Sequence, residues 1–285
     1  MRRLTLLTNP DICNLRCPLC FLRQRGVASR YGEMPFQVAR AAVEKYGCKD
    51  AAGAGPLREV IPSTMGEPLL YSKFAELLEL CRSHGIPMNL TTNGTFPGRW
   101  GSDEGMETLL LACSDIKVSS LSYEVGGLEE LEWLRNVEML LDVRRRLLES
   151  RRRLEQAGKR AATVSLQVTL HRENFEHAGQ LLRWAETVGI SRVKWNPVVF
   201  LKCAPAELRE RFALPEGAQE QLRSVLRPEK VRCEGSLYFE GRDGVCAVGG
   251  SCSQKACPFA DEVWVWPDGH EDHCPDPERR WGGAE

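Results

Sequence analysis

Cys13, Cys17 and Cys20 fall within one short run, Cys13-Asn14-Leu15-Arg16-Cys17-Pro18-Leu19-Cys20, with gaps of three and then two residues. Three thiolates are one ligand short of a closed tetrahedral metal site, and an open metal position is a place for chemistry. A loop of this length can wrap one face of a 4Fe-4S cube, ligating three irons and leaving the fourth for an exogenous chelator. Cys17 and Cys20 alone, at CxxC spacing, would also suit half of a structural zinc site. A disulfide framework fits poorly, because 285 residues bury a sizeable core without staples. The start, Met1-Arg2-Arg3 followed by Leu4-Thr5-Leu6-Leu7-Thr8, is too short in its apolar part for a secretory signal and reads as a first strand. Twelve cysteines, no such signal and no apolar stretch of membrane-spanning length point to a reducing, cytoplasmic setting and to metal ligation.

The Cys-x3-Cys-x2-Cys run resembles the signature of the radical SAM superfamily. The resemblance implies that the amino and carboxylate groups of S-adenosylmethionine bind the open iron. One electron from the cluster would then cleave the S–C5′ bond, giving a 5′-deoxyadenosyl radical that abstracts hydrogen from a substrate. It also implies an electron donor such as flavodoxin or ferredoxin. The family's usual aromatic before the third cysteine is Leu19 here, with Phe21 just after it.

The elements that must position this loop alternate. Strands are expected at Leu4 to Thr8, Glu59 to Pro62, Met88 to Thr92, Asp115 to Ser119, Thr163 to Leu170 and Arg192 to Asn196. Helices are expected at Phe36 to Tyr46, Ser72 to His84, Gly105 to Cys113, Glu129 to Ala157 and Phe175 to Val188, with Gly85, Gly158 and Gly189 as C-terminal stops. This α/β alternation predicts a parallel sheet with helical crossovers. With the cysteine loop directly after strand one, it resembles the family's partial (β/α)6, TIM-like barrel, whose active site lies at the carboxyl ends of the strands.

Each strand end then carries a candidate. Strand two runs into Ser63-Thr64-Met65-Gly66-Glu67-Pro68, similar to the family's Gly-Gly-Glu-Pro motif with Met65 in place of the first glycine. Gly66 allows close backbone approach and Pro68 has no N–H to compete, so neighbouring carbonyls and Glu67 are expected to face the cofactor's ammonium. Strand three ends in Thr92-Asn93-Gly94, a turn that supports the fold more than catalysis. By resemblance, a serine at the end of strand four, Ser119 among the candidates, contacts the ribose or carboxylate. Strand five delivers His171 to Asn174 to the rim, where His171 reads as a substrate contact, a solvent-facing residue or a helix-start residue. On strand six, Trp195 or Asn196 lines the cofactor pocket by resemblance, and only one of two neighbours in a strand can face inward.

Composition is even-handed, with 38 Lys plus Arg against 39 acidic residues and a net charge of -1. Nothing in it suggests a membrane or nucleic-acid surface. Arg144-Arg145-Arg146 and Arg151-Arg152-Arg153 lie in the long charged helix, whose stripe of Leu131, Leu134, Val137, Leu140, Leu141, Leu147, Leu148 and Leu154 is expected to face inward and its arginines outward.

After Phe200 the pattern changes. Residues 1–200 read as the barrel, 201–228 as a helical connector from Pro205 to Leu226, and 229–285 as a small cysteine-rich module with Cys233, Cys246, Cys252, Cys257 and Cys274. Pro267-Asp268-Gly269 between Val-Trp alternations makes a hairpin that would bring Cys257 and Cys274 together at its base. The spacing around it matches the opening element of SPASM and twitch domains, which implies an auxiliary 4Fe-4S cluster. Five cysteines fill one cluster, not two; the expected ligands are Cys246, Cys252, Cys257 and Cys274, with Cys233 the rival for one place and a zinc ribbon the alternative. Cys48, Cys81, Cys113 and Cys203 read as small core residues.

The expected function is radical S-adenosylmethionine chemistry that oxidatively modifies, by dehydrogenation or crosslinking, a peptide or small-molecule substrate. No leader-binding domain is seen before Cys13, so leader recognition would fall to a separate protein. The competing readings are an activase that places a glycyl radical on a partner enzyme and a non-catalytic metal-binding protein.

Overall fold

The computed structural model describes residues 2–26, 31–47, 57–62, 65–120, 137–235 and 261–273. Its strands are β1 (Arg2–Leu6), β2 (Leu57–Pro62), β3 (Met88–Thr92), β4 (Cys113–Ser120), β5 (Thr163–Leu170), β6 (Arg192–Pro197), β7 (Arg232–Glu234), β8 (Glu262–Val265) and β9 (Glu271–Asp272). Its helices are α1 (Phe21–Arg25), α2 (Phe36–Gly47), α3 (Phe74–Ser83), α4 (Asp103–Ala112), α5 (Val137–Gln156), α6 (Ala178–Val188), α7 (Ala206–Phe212) and α8 (Ala218–Val225). One sheet runs β7-β6-β5-β4-β3-β2-β1-β8-β9. Every pairing is parallel except the β8–β9 hairpin. No helix among the described residues is long and apolar enough to cross a membrane.

The six expected strands and their crossover helices are present, with most ends shifted by a residue or two; the long helix is described only from Val137, residues 129–136 lying outside the described residues, and the next opens with a 3-10 turn, Phe175–His177, before α6. Left-handed Gly85, Gly158 and Gly189 follow α3, α5 and α6, as a chain that must turn off a helix requires. The α4 helix starts earlier than Gly105 because the Ser102 hydroxyl accepts from Gly105 N at 3.1 Å and caps it. The stretch from Pro205 to Leu226 is two helices, α7 and α8, parted where Pro215 removes a donor and Gly217 turns left-handed. Three strands were not foreseen as part of the barrel sheet. β7 extends it beyond β6, while β8 lies parallel to β1 and carries β9 as a hairpin partner. The sheet therefore continues past the boundary expected at residue 229.

Alternation along the strands separates two environments. One face carries Leu4, Leu6, Val60, Met88, Leu90, Ile116, Val118, Val164, Leu166, Val168, Val193, Trp195, Val263 and Val265, all buried against the surrounding helices. Strands of a parallel sheet buried on both faces would be apolar throughout. Here the opposite face carries Arg3, Glu59, Asn89, Asp115, Lys117, Ser165, Gln167, Arg192, Lys194 and Glu262, so the inside of the curved sheet is a polar lumen.

The curvature can be read from contacts. β1 and β6 lie five places apart in the sheet, about 24 Å if it were flat. Yet Gln24, on the helix after β1, donates to Val199 O at 3.0 Å and accepts from Leu201 N at 2.8 Å, both on the loop after β6. Leu7, Met65, Leu201, Trp264 and Trp266 form a separate apolar cluster, with Phe21 and Leu22 packed on it. Met65, where the family motif has glycine, supplies apolar area there, and Phe21 does the same from the start of α1.

Candidate active site

The cysteine loop sits between β1 and α1, and its position follows from a backbone contact. Gly66 has φ 74°, and a Cβ on it would lie 2.2 Å from Asn9 O and 2.7 Å from Ile12 O. Only glycine lets the two loops touch in this way. Glu67 N donates to Ile12 O at 2.8 Å, and Asn9 Nδ2 donates to Glu67 O at 2.6 Å, closing the contact from both sides. The turn after β2 is thereby fastened to the loop that carries Cys13.

Glu67 itself is turned into the protein and fully buried. Its carboxylate accepts from Thr92 Oγ1 at 2.7 Å, Asn93 N at 2.7 Å and Leu69 N at 3.3 Å. Burial pushes its pKa up to about 7 against the pull of those three donors. The side chain expected to face a bound ammonium is instead buried, its oxygens accepting from β3 and from its own turn, so that Glu67 braces the turn. Thr92 is likewise a buried brace. Asn93 reaches further, its Nδ2 lying 3.6 Å from Cys13 Sγ and 2.9 Å from Asn14 Oδ1. Thr95 completes the clasp by donating to Asn93 Oδ1 at 2.7 Å and accepting from Asn14 Nδ2 at 2.9 Å. The Thr-Asn-Gly turn thus does more than support the fold, because it holds the first cysteine.

The three thiols are free and partly buried. Leu15 N points at Cys13 Sγ from 3.4 Å, and Cys20 N donates to Cys17 O at 3.1 Å in the tight turn that opens α1. Burial, reinforced by the fields of Cys20 and Cys13, pushes the Cys17 thiol up to about 12; burial raises the other two as well. Three buried sulfurs that resist ionising together suit a cationic group that would neutralise them as thiolates, and the amide at Cys13 is placed to donate to one. Among the described residues no three His, Cys, Asp or Glu side chains converge as a single metal ion would need. Three thiolates from one short loop are the donor chemistry of a 4Fe-4S cube with one corner left open.

The other strand ends sort themselves by face. Trp195 is fully buried on the outer face, its Nε1 donating to Cys233 Sγ at 3.3 Å, so it does not line the lumen. Asn196, its neighbour, does. Ser119 stands at the end of β4 with its carbonyl accepting from Arg144 Nη2 at 2.6 Å. Arg144 is 5% exposed, which corrects the expectation that all the arginines of this helix face outward; Arg145, Arg146 and Arg153 do, pairing with Asp142, Glu149, Asp103 and Glu107. Of the expected apolar stripe, Leu147, Leu148 and Leu154 are buried, while Leu131, Leu134, Val137, Leu140 and Leu141 lie outside the described side chains. His171 packs edge-on against Phe212 with ring centroids 5.3 Å apart, and its Nδ1 accepts from Glu173 N. That is the helix-start role.

Cys81 and Cys113 are core residues, whereas Cys203 is exposed, with Sγ 3.8 Å from Gln24 O, and does not belong in the core. Cys48, Ser63, Thr64, Cys246, Cys252, Cys257 and Cys274 lie outside the described residues. The expected hairpin is present, with Trp264 opposite Asp272 and Val265 opposite Glu271.

Three comparisons place this arrangement among known proteins. A tungsten-containing aldehyde ferredoxin oxidoreductase cofactor-modifying protein of Pyrococcus furiosus is 21% identical over 183 residues, 62% of this chain and 46% of that one. The fold is similar to Streptococcus suis SuiB bound to S-adenosylmethionine, with TM-score 0.63, 16% identity and coverage of 96% of this chain and 60% of that one. It is similar also to anSMEcpe with bound AdoMet and Kp18Cys peptide, with TM-score 0.61, 18% identity and coverage of 96% and 74%. The chain spans about half the length of the curated relative and three fifths of SuiB. A cysteine loop pinned by a Gly-Glu-Pro turn at the mouth of a partial barrel agrees with the match of residues 10–185, more than half of the chain, to the Radical SAM superfamily, and the protein belongs to that superfamily.

Proposed function

We propose that this protein is a radical S-adenosylmethionine oxidoreductase that removes hydrogen from a peptide or a small molecule, with net oxidation of the product. The observation that carries the reading is the backbone contact of Gly66 with Asn9 and Ile12, which sets the cysteine loop against the Gly66-Glu67-Pro68 turn. In this reading Cys13, Cys17 and Cys20 hold a 4Fe-4S cluster. The Gly66 end of the turn, with Ser119 and Asn196, receives S-adenosylmethionine, while Glu67, Thr92 and Asn93 keep the turn and Cys13 in place. When bound, the pair supplies one-electron cleavage of a carbon–sulfur bond and, from it, a carbon radical able to take a hydrogen atom. Gln24, by clamping Leu201 to the cysteine loop, limits solvent entry on the β6 side.

A second cluster held by Cys246, Cys252, Cys257 and Cys274 would accept the electron left on the oxidised substrate. The contact of Cys233 with Trp195 supports leaving Cys233 out of that set. A peptide substrate is favoured by the description of one structural neighbour as bound to its precursor peptide, SuiA. An electron donor such as flavodoxin or ferredoxin and a cytoplasmic location belong to the same reading.

The test is anaerobic reduction with dithionite in the presence of S-adenosylmethionine. Formation of 5′-deoxyadenosine, lost on Cys13→Ala, is expected; an intact cofactor and an electron paramagnetic resonance spectrum unchanged by its addition would remove the reading.

A further inference from the structure

Polar groups inside the lumen divide sharply by depth. Near the amino ends of the strands the charged groups among the described residues are ion-paired. Glu59 meets Arg3 at 2.8 Å and accepts from Asn89 at 3.0 Å, and Arg3 also reaches Glu262 at 3.1 Å. Asp115 accepts from Thr163 at 2.6 Å and Ser165 at 2.7 Å, and pairs with Arg192 at 3.0 Å and Lys117 at 3.5 Å. Arg192 and Arg232 neutralise Glu234.

One step higher the pairing thins: Glu234, opposite Lys194 on β7, is held by Arg192 and Arg232, and its neighbours in the row are left. Ser119, Gln167 and Lys194 occupy one register row, Ser119 opposite Gln167 on β5 and Gln167 opposite Lys194 on β6, and none of these side chains has a hydrogen bond or close ion pair among the described residues. Asn196, in the row above, is the same, while Thr169 opposite it is exposed. On β1, Thr5 Oγ1 is buried without a hydrogen-bond partner. Ser119, Gln167, Lys194 and Asn196 are half-buried; polar groups withdrawn from water are mostly paired in folded proteins, so a group of unpaired ones above an ion-paired floor marks the depth at which a ligand supplies the partners.

The charge narrows the class. Among the described residues, Arg3, Lys117 and Arg192 are each committed to a carboxylate, and Lys194 has no close ion pair. One uncommitted ammonium beside an amide suits a singly charged, planar acceptor; a phosphate would call for a second free cation. Burial lowers the Lys194 pKa; the fields of Glu234, its register partner on β7, and of Glu262 oppose it and those of Arg3 and Arg192 reinforce it, a condition that a further carboxylate would relieve.

We propose that Lys194 and Gln167 form a subsite on the inner face of the sheet that binds a carboxylate of the substrate, while Ser119, in the same register row on β4, and Asn196, one row above, serve the cofactor. The inference rests on the preceding reading only in treating the lumen as the substrate site. The carboxylate belongs either to a peptide side chain or to a small acid or chain end.

Saturation-transfer NMR on the cluster-loaded protein with S-adenosylmethionine separates these cases with three probes: N-acetyl-glutamate α-methylamide, N-acetylglycine and the uncharged N-acetyl-glutamine methylamide. A carboxylate probe is expected to bind about tenfold tighter than the amide, since a hydrogen bond to a charged group carries that much. The glutamate probe leading indicates a peptide side chain, N-acetylglycine leading a terminal or small acid. Lys194→Met should erase the preference and Lys194→Arg keep it, both with unchanged S-adenosylmethionine affinity. Equal binding of acid and amide to wild type, no binding of any probe at millimolar concentration, or a preference that survives Lys194→Met overturns the subsite. Lost cofactor affinity in Lys194→Met overturns it too, by assigning the amine to S-adenosylmethionine. None of these outcomes depends on whether 5′-deoxyadenosine is formed.

Discussion

Gly66 is the residue at which the site tolerates least, because a single added carbon would enter the van der Waals space of two carbonyls at once. Gly66→Ala is expected to cost about 2–4 kcal/mol, from the clash together with a left-handed φ. Chemical denaturation measures this, and iron bound per chain on reconstitution should fall with it. Glu67→Ala strands Thr92 Oγ1, Asn93 N and Leu69 N in a buried cavity and should cost about 2–4 kcal/mol. Glu67→Gln retains acceptor capacity and should lose clearly less. Equal losses for the two Glu67 variants would show that the carboxylate charge, not the brace, is what matters. His171 offers a pH test away from the cysteines. Burial lowers its pKa from 6.5 to about 4, so the folded state keeps it neutral while the unfolded chain protonates. Its contribution is whole above pH 6.5 and is lost as pH falls toward 4, by an amount of order 1 kcal/mol at pH 5. In His171→Gln the stability difference between pH 7 and pH 5 should shrink accordingly; parallel curves for wild type and variant would contradict the assignment.

At the scale of elements, the pairing of β8 with β1 ties the far end of the chain to the strand that launches the cysteine loop. Arg3 N and Leu7 N donate to Asp261 O and Val265 O at 3.1 and 2.9 Å, and Val263 and Val265 are buried in the main core. A chain ending at residue 260 should therefore show fast hydrogen exchange at Arg3 and Leu7 while β4 and β5 stay protected. Retained protection in β1 would mean that its neighbour is dispensable. The α2 side of the hairpin is weaker glue. Glu271 meets Lys45 at 2.9 Å and Tyr46 at 2.7 Å in an exposed setting, so Glu271→Ala should cost under about 1 kcal/mol. Arg144 shows how far one helix can reach: from α5 it supports the carbonyl of Ser119 at the end of β4.

For the whole molecule, the curved sheet puts apolar side chains toward the helices and charges inside, which frees the lumen to hold polar ligands. If the C-terminal cysteines carry a second cluster, the anaerobic protein should contain about eight irons, and replacing Cys13, Cys17 and Cys20 by alanine should halve that number. Zinc at the C-terminal cysteines would leave about four irons in the wild type and none in the triple variant. Loss of Cys257 and Cys274 should preserve 5′-deoxyadenosine formation and abolish the oxidised product. A folded variant that still makes product at the original rate would reduce the second site to a structural part.

What the amino-acid sequence determined by itself was local. The spacing of Cys13, Cys17 and Cys20 is a property of one loop. The alternation in β5 and the glycine stops after α3, α5 and α6 depend on neighbours a few residues away, and they were legible for that reason. The tertiary structure decided whatever depends on register between distant strands: β8 beside β1, Trp195 on the core face and Asn196 in the lumen, Glu67 spent on β3 rather than offered to a ligand, Cys203 at the surface. Lys194 belongs to this second kind. A lysine in an alternating strand is silent about its partners, and only the curvature that brings Arg3, Asp115, Glu234 and Glu262 around one lumen decides which cations are paired and which one is left over.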